Sequence, residues 1–424
     1  MTPWFVKRDS IAIKARQIWP KRTDPTLGVF SVSSQFDENR IVATCESPFQ
    51  LFALVAMYLG GLFSRCRSVL VLMGRQVNAK DEQIQATAKL LCDSRVVWLD
   101  EQYDDVKHLG LSVIGKTLFP TEAIRRRQAY LRQLANGEEF DILLCASATP
   151  LVIDVKRALC RRASASLYDD GTGTHNGAVA ASLAFFDEIL SSSAYQNMGR
   201  TARMKRLCKW LANRMTGGNL KLGITSVFMF NPGPENGNLY ENVEISAIPS
   251  VDKSTAASKR LMLSLGPIRD IYFDNNIVLL SLPDDVGQEA LAIEETTWSI
   301  LEGTPKLRVI VRPHPRSGRY SGCHRSDGGA GIWEMLCLAH LVNENSILVG
   351  FGSSAQMNPK LLFDIEPTVI FLHRMLESDS DLKANAEITW SLLKRRYANP
   401  DKVLAPKSLN ELTEAVRELS NSTN

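Results

Sequence analysis

The run Ile41-Val42-Ala43-Thr44-Cys45-Glu46-Ser47-Pro48-Phe49-Gln50 decides how the rest of the chain is read. Its first five residues, rich in β-branched and small apolar side chains, read as a strand ending at Cys45. Ser47 then stands where a helix N-cap belongs and Pro48 at the first helical position, where its fixed φ fits and its missing N–H removes no bond. A strand followed at once by a helix, Pro48 to Phe63, is therefore expected. The alternation continues, with strands expected at Ser68 to Met73, Arg95 to Leu99, Asp141 to Ala146 and Ala165 to Tyr168, and a helix over Thr121 to Ala135 after Pro120. Strands separated by helices imply a parallel sheet of βαβ units.

Between about Thr216 and Asp274 the pattern breaks: Gly217, Gly218, Pro232, Gly233, Pro234, Gly237 and Pro249 crowd a polar stretch that reads as an interdomain region. A second series follows, with strands at Ile277 to Leu282, Leu307 to Val311, Ser346 to Phe351 and Thr368 to Leu372, and helices near Gln288 to Leu301, Gly331 to Val342 and Gln356 to Phe363. Two further helical patterns, Asp381 to Arg396 and Ser408 to Leu419, end the chain. The expected architecture is α/β of the GT-B type, two Rossmann-like domains facing a central cleft where a nucleotide sugar lies. The expected divisions are an N-terminal extension (1–38), an acceptor domain (39–250), a nucleotide-sugar domain (251–375) and C-terminal helices (376–424). Fold alone does not establish such a function.

The chain has 424 residues, 45% hydrophobic and 22% charged, enough for two cores of ordinary size. Its 49 Lys and Arg stand against 46 Asp and Glu, a net charge of +3, too small a surplus to indicate a nucleic-acid partner. The eight cysteines (Cys45, Cys66, Cys92, Cys145, Cys160, Cys208, Cys323 and Cys337) form no CxxC pair and read as reduced thiols of a cytoplasmic protein. No apolar run approaches the ~20 residues that span a bilayer, and no signal peptide is visible. Basic residues cluster from Arg200 to Arg214, interleaved with Met204, Leu207, Trp210 and Leu211. This segment reads first as a solvated interdomain helix and second as a basic amphipathic helix touching anionic lipid, a peripheral contact at the inner membrane.

Three constellations stand at expected strand ends. Tyr168-Asp169-Asp170-Gly171-Thr172-Gly173-Thr174-His175 puts two acids and a flexible backbone where open α/β sheets bind ligands. The same residues also suit a tight turn whose carboxylates cap the next helix. Arg312-Pro313-His314-Pro315-Arg316 holds one imidazole between two prolines, with arginines that could attract a phosphate; a proline turn with a surface histidine is the plainer reading. Gly350-Phe351-Gly352-Ser353-Ser354-Ala355-Gln356 places glycines and hydroxyls at a helix start, where backbone N–H groups and the helix dipole favour an anion. An N-cap with a small-residue turn would look the same.

In this order, Asp-Asp-Gly, His-Pro and Ser-Ser resemble the signature motifs of bacterial sialyltransferases, above all glycosyltransferase family 52, the lipooligosaccharide sialyltransferases. Cys45 to Gln50 resembles that family's Cys-x-x-x-x-Gln opening, and the resemblance spans roughly residues 40 to 375. It implies transfer of sialic acid from CMP-sialic acid, with inversion, to a lipooligosaccharide or capsular glycan acceptor such as a galactoside. Asp284, in Leu282-Pro283-Asp284, resembles the family's catalytic base, with Asp169 or Asp170 second in line. His314 becomes the acid or phosphate donor. Ser353 and Ser354, with Gly352 and Pro315, would hold the CMP phosphate, and Glu334 its ribose; Gln50, Gly171 and Thr172 would line the acceptor side. Without the resemblance, Asp284 reads as a turn residue and Glu334 as an exposed helix residue. No metal or other cofactor is expected, since CMP carries a single phosphate and the lone Asp-x-Asp, Asp379-Ser380-Asp381, reads as a helix cap. The partners expected are the nucleotide sugar and the glycan, with no nucleic acid; oligomer formation stays open. The alternative readings are a same-fold enzyme using a UDP-hexose or CMP-Kdo, and a non-catalytic nucleotide- or sugar-binding protein.

Overall fold

The computed structural model divides the chain into two units, Met1–Val32 and Ser33–Asn424. It describes residues 36–74, 77–100, 103, 120–147, 149–175, 222–238, 240, 243–249, 259, 272, 276–304, 308–314, 317–320, 322–328, 332–378 and 380–422, all within the second unit.

The first sheet contains β1 (Arg40–Cys45), β2 (Ser68–Met73), β3 (Arg95–Trp98), β4 (Ile142–Cys145), β5 (Ser164–Tyr168), β6 (Ile224–Met229) and β7 (Glu244–Ala247). All pairs are parallel, in the order β3-β2-β1-β4-β5-β6-β7. The helices described on this half are α1 (Pro48–Leu59), α2 (Glu82–Ala88), α3 (Pro120–Leu134), α4 (Pro150–Leu159) and the one-turn α5 (Thr172–His175). The start of α1 is the one its sequence dictates: the extended Ser47 accepts from the Gln50 N–H at 3.1 Å, and Pro48 opens the helix. It stops at Leu59, short of the expected Phe63, because Gly60 and Gly61 follow and Gly61 takes φ +79°.

The second sheet contains β8 (Asn276–Leu280), β9 (Arg308–Arg312), β10 (Ile347–Gly350), β11 (Thr368–Phe371) and β12 (Val403–Leu404), again parallel, in the order β12-β11-β10-β8-β9. Its helices are α6 (Gln288–Glu302), α7 (Trp333–Leu338), α8 (Ser354–Phe363), α9 (Asp381–Arg396) and α10 (Leu409–Ser422). Two Rossmann-like sheets in one chain give the GT-B type of architecture. Two expectations are corrected. The stretch taken as interdomain, Thr216 to Asp274, contains β6 and β7, because Gly and Pro mark their flanking turns rather than the Ile224–Met229 run itself. The C-terminal segment is not helical throughout, since Val403–Leu404 adds an edge strand beside β11.

Sheets covered on both faces need strands apolar on both faces, and β1, β2, β4, β10 and β11 are buried almost end to end. Leu70, Leu72, Leu143 and Val227 pack with Leu131, Leu151 and Val155 in one core; Ile277, Val309, Val349 and Ile370 pack with Leu301, Leu412 and Val416 in the other. Truncating one such leucine to alanine costs about 2–5 kcal/mol. The halves touch where Phe52 of α1 meets Phe363 of α8 edge-on at 6.0 Å, and where the Thr87 hydroxyl of α2 lies 3.5 Å from the Met335 sulfur of α7.

In an open parallel sheet the ligand crevice lies beyond the strands' C-terminal ends, where the strand order reverses. Here the order reverses between β1 and β4 in the first sheet and between β8 and β10 in the second. The β1 exit carries Glu46 to Gln50, the β8 exit Ser281 to Asp284, and the β10 exit Phe351 to Ser354. No helix among the described residues is long and apolar enough to cross a membrane. All seven described cysteines are free thiols.

Candidate functional site

Beyond β5 the chain turns through Asp169, Asp170 and Gly171 into α5, and nearly every polar group of the turn is tied down. Asp169 is fully buried and accepts from the Gly171 N–H at 2.8 Å, the Phe230 N–H at 3.0 Å and His175 Nε2 at 3.0 Å. The Asp170 N–H donates to the Thr174 hydroxyl at 2.8 Å, and the Tyr240 hydroxyl donates to the Thr174 carbonyl at 2.9 Å. These bonds fix the backbone and leave the Asp170 carboxylate to one described donor, the Gln50 amide, at 2.7 Å. Gln50 cannot turn freely, because its Oε1 accepts from the Glu46 N–H at 2.7 Å. Burial pushes the Asp170 carboxyl above its ordinary value; the Gln50 bond opposes this and the Asp169 charge adds to it.

Gly171 has φ +77°, a conformation only glycine adopts cheaply, and faces the other half of the molecule. A Cβ at this position would lie 3.0 Å from Ser354 Cβ, 3.7 Å from Ser354 Oγ and 3.7 Å from the Phe49 ring. The Asp-Asp-Gly turn, the α1 opening and the Ser-Ser helix start therefore come into contact with one another. Thr172 opens α5.

On the opposite wall, Gly352 sits at φ +92°, and a Cβ there would come within 3.0 Å of Ala386 on α9. The Gly352 and Ser353 N–H groups donate to the Gln356 side chain at 2.6 and 3.2 Å, and Gln356 Nε2 donates to the Ile370 carbonyl at 3.1 Å. Two N–H groups expected to serve an anion thus already have an acceptor. The Ser353 and Ser354 hydroxyls and the α8 dipole remain as the anion-attracting features. Gln356 was missed as a structural partner, although Ser353-x-x-Gln356 carries the spacing of a capping box.

His314, half-buried just past β9, has its N–H on the Ser281 hydroxyl at 2.9 Å, so the β8 and β9 exits are joined. Pro315 and Arg316 lie outside the described residues. Arg312 is committed elsewhere: it pairs with the buried Asp327 at 2.5 Å, which also accepts from the Tyr272 hydroxyl at 2.7 Å, and it stacks on Trp333. It is a core ion pair rather than a phosphate ligand. Asp284 is bound by its neighbours, accepting from the Ser317 hydroxyl at 2.6 Å, the Gly318 N–H at 2.7 Å and Arg319 Nε at 3.1 Å. These donors hold its carboxyl below the ordinary value, although its side chain stays 45% exposed. Arg319 also binds the Leu282 carbonyl and the buried Glu294. Ser317, Gly318 and Arg319 carry no local sequence signal for this role, because they come from a separate strand exit.

Glu334 corrects the exposed-helix reading. It is 3% exposed, stands in the first turn of α7 and accepts from Asn358 Nδ2 of α8 at 2.5 Å, and burial pushes its carboxyl up. The basic segment Arg200 to Arg214 lies outside the described residues. Among the described residues, no three His, Cys, Asp or Glu side chains gather in a way that could hold a metal.

No protein-family model matches the chain, and no curated protein matches its sequence. Among solved structures, it is similar to the glycotransferase of kitacinnamycin (13% identity, 90% of each chain covered, TM-score 0.44). It is also similar to a UDP-glucosyltransferase from Polygonum tinctorium capable of glucosylating indoxyl (11% identity, 92% and 94% covered, TM-score 0.47). A third similar structure is a candidate UDP-N-acetylglucosamine 2-epimerase from Listeria monocytogenes (11% identity, 90% and 88% covered, TM-score 0.45). At this level of similarity nothing about donor or acceptor passes to the present chain.

Proposed function

We propose that the protein is an inverting, metal-independent sialyltransferase that moves sialic acid from CMP-sialic acid to a glycan hydroxyl. The observation that carries this reading is the approach of Gly171 to Ser354, which puts the acid-bearing turn of one half against the Ser-Ser helix start of the other. An acceptor hydroxyl beside Asp170 and a donor phosphate beside Ser353 and Ser354 would then be neighbours. The acceptor oxygen attacks the anomeric carbon as the bond from that carbon to the phosphate oxygen breaks. Asp170 takes the hydroxyl proton and CMP departs with the electron pair. The serine hydroxyls, the α8 dipole and His314 meet the charge developing on the phosphate.

Asp170 is preferred to Asp284, which the resemblance places first. Its raised pKa brings a carboxylate nearer to neutrality, where a general base is most effective, whereas Asp284 is held by three donors that make it a weaker base. Asp169, whose oxygens are occupied by Gly171, His175 and Phe230, acts as a positioning residue. Glu334 retains the ribose assignment as part of this proposal. The donors that would face the phosphate are hydroxyls, imidazole and a helix terminus, so transfer should survive EDTA.

The test is incubation with CMP-sialic acid and a panel of galactosides and lipooligosaccharide, with and without EDTA, read by product mass. It is accompanied by thermal shifts with CMP, UDP and GDP. Stabilisation by CMP and a sialylated product in EDTA are expected. Stabilisation by UDP alone, or activity lost to EDTA and restored by magnesium or manganese, would overturn the reading. CMP binding without hydrolysis or transfer would make the protein a nucleotide-binding module.

A further inference from the structure

The C-terminal part of α9 reaches the half of the molecule that carries the acid turn. Arg396, the last residue of that helix, donates to the Asn231 carbonyl at 3.2 Å and to Asn236 Oδ1 at 3.4 Å. Asn236 is fully buried; its Oδ1 also accepts from the Gly233 N–H at 2.8 Å, and its Nδ2 donates to the His175 carbonyl at 3.3 Å. His175 in turn binds Asp169, which binds the Gly171 N–H. At its other end α9 lies on the donor wall, since Ala386 occupies the space next to Gly352.

The contacts close a ring. Gly171 faces Ser354, Gly352 of the same helix start faces Ala386, α9 runs about 15 Å from Ala386 to Arg396, and Arg396 returns through Asn236, His175 and Asp169 to Gly171. A helix of this length is stiff compared with the loops it joins. Arg396 is a forked, permanently charged donor suited to gripping two acceptors at once. Its neighbours Lys394 and Arg395 share the last turn, where any cation complements the helix dipole, yet Arg395 is exposed.

We propose that Arg396 is a positioning residue for the transfer, gripping the 231–236 loop so that α9 holds the Asp170 turn in register with the Ser353–Ser354 phosphate wall. The catalytic part of this proposal rests on the sialyltransferase reading; the mechanical part does not. Misplacement of a reacting group by about 1 Å costs up to ~10²-fold in rate. Arg396→Ala should therefore lower kcat by about tenfold to a hundredfold while leaving the thermal shift with CMP, which reports on the opposite wall, unchanged. Amide hydrogen exchange in 168–175 and 231–238 should rise in the same variant at a temperature well below melting. Arg396→Lys keeps the charge and loses the fork, so it should recover part of both effects, and it serves where the alanine variant folds poorly. Arg395→Ala should change neither.

A role confined to stability would lower Tm without altering exchange in the 168–175 turn, and that result in folded Arg396→Ala and Arg396→Lys overturns the proposal. Unchanged kcat in an active protein also overturns it. If the parent protein transfers no sialic acid, the exchange arm still decides whether Arg396 holds the turn, so the two readings fail separately.

Discussion

Asp170 and Asp284 both stand just past the C-terminal end of a parallel strand, β5 in one sheet and β8 in the other, yet the two carboxylates meet opposite surroundings. Around Asp170 other groups do the bracing: Asp169, Thr174, Tyr240 and His175 fix the backbone, and the carboxylate meets one described donor, Gln50. Around Asp284 the carboxylate itself is the brace, drawing together Ser317, Gly318 and Arg319 from the β9 side. Burial raises one pKa and hydrogen bonds lower the other. Two acids that the resemblance ranks second and first thus stand in environments of opposite effect, and the proposed reading takes the first environment for proton transfer and the second for loop geometry, the usual way environment divides roles between carboxyls.

The largest effect should come from Asp170→Asn, with a loss of transfer of about 10²–10⁴-fold, the range for removing a positioned base. Stability should move the other way. Because the folded-state pKa lies above the ordinary value of 3.8, the ionised side chain opposes folding. That penalty is absent below the unfolded value and fully present once pH exceeds the folded one. At neutral pH the neutral isostere should therefore match or exceed the parent in Tm, and CMP should still shift it. A variant that is inactive only because it melts early would remove Asp170 from the mechanism and weaken the contrast with Asp284. The acid limb of kcat/KM should lie above the ordinary carboxylate range in the parent, for the same reason.

The second effect in size is that of His314→Ala, a fall in kcat of about 10²-fold. The backbone bond from His314 to Ser281 survives this change, since it uses the main-chain N–H. The β8 and β9 exits should thus stay joined, and circular dichroism and Tm should match the parent. Full activity in that folded variant would leave the His-Pro segment as a turn, and the donor wall would rest on the serines alone.

Much of the scaffold that carries these residues is local and hence readable. Ser47 and Pro48 start α1, β2 spans the expected Ser68 to Met73, and α9 spans the expected Asp381 to Arg396, because caps, runs and periodicity act over a few residues. What escaped depends on partners distant in sequence. β6 and β7 were hidden by the glycines and prolines of their flanking turns, and the two residues of β12 are a strand only because β11 lies beside them. Glu334 looked exposed because Asn358, which meets it, is on another helix. Arg396 could not be told from Lys394 and Arg395 until Asn231 and Asn236 were seen beneath it. The meeting of the Asp-Asp-Gly and Ser-Ser motifs at Gly171 and Ser354 is likewise non-local; the strand-end positions hinted at it, and the packing of the two halves produces it.

The smallest effect on activity, and the sharpest test of the comparison, should come from Asp284→Asn. If this carboxylate is a brace, its loss should leave kcat within about tenfold of the parent, an order below the cost of removing a proton-transfer group, while the fold loses stability in a pH-dependent way. The sign follows from the lowered pKa. A carboxyl whose folded value lies below the ordinary 3.8 contributes stability above that value and loses it as pH falls through the folded one. At pH 7 Asp284→Asn should therefore melt below the parent. The gap should close as pH is lowered past 3.8, when the parent's own Asp284 takes up a proton and releases the cationic Arg319. Added salt should narrow the gap at pH 7, because the Arg319 pair is partly exposed and screened. Thermal melts from pH 7 to pH 3, alongside initial rates at pH 7, separate the two roles. A folded Asp284→Asn that binds CMP but transfers nothing, beside an active Asp170→Asn, would exchange the roles assigned to the two loops.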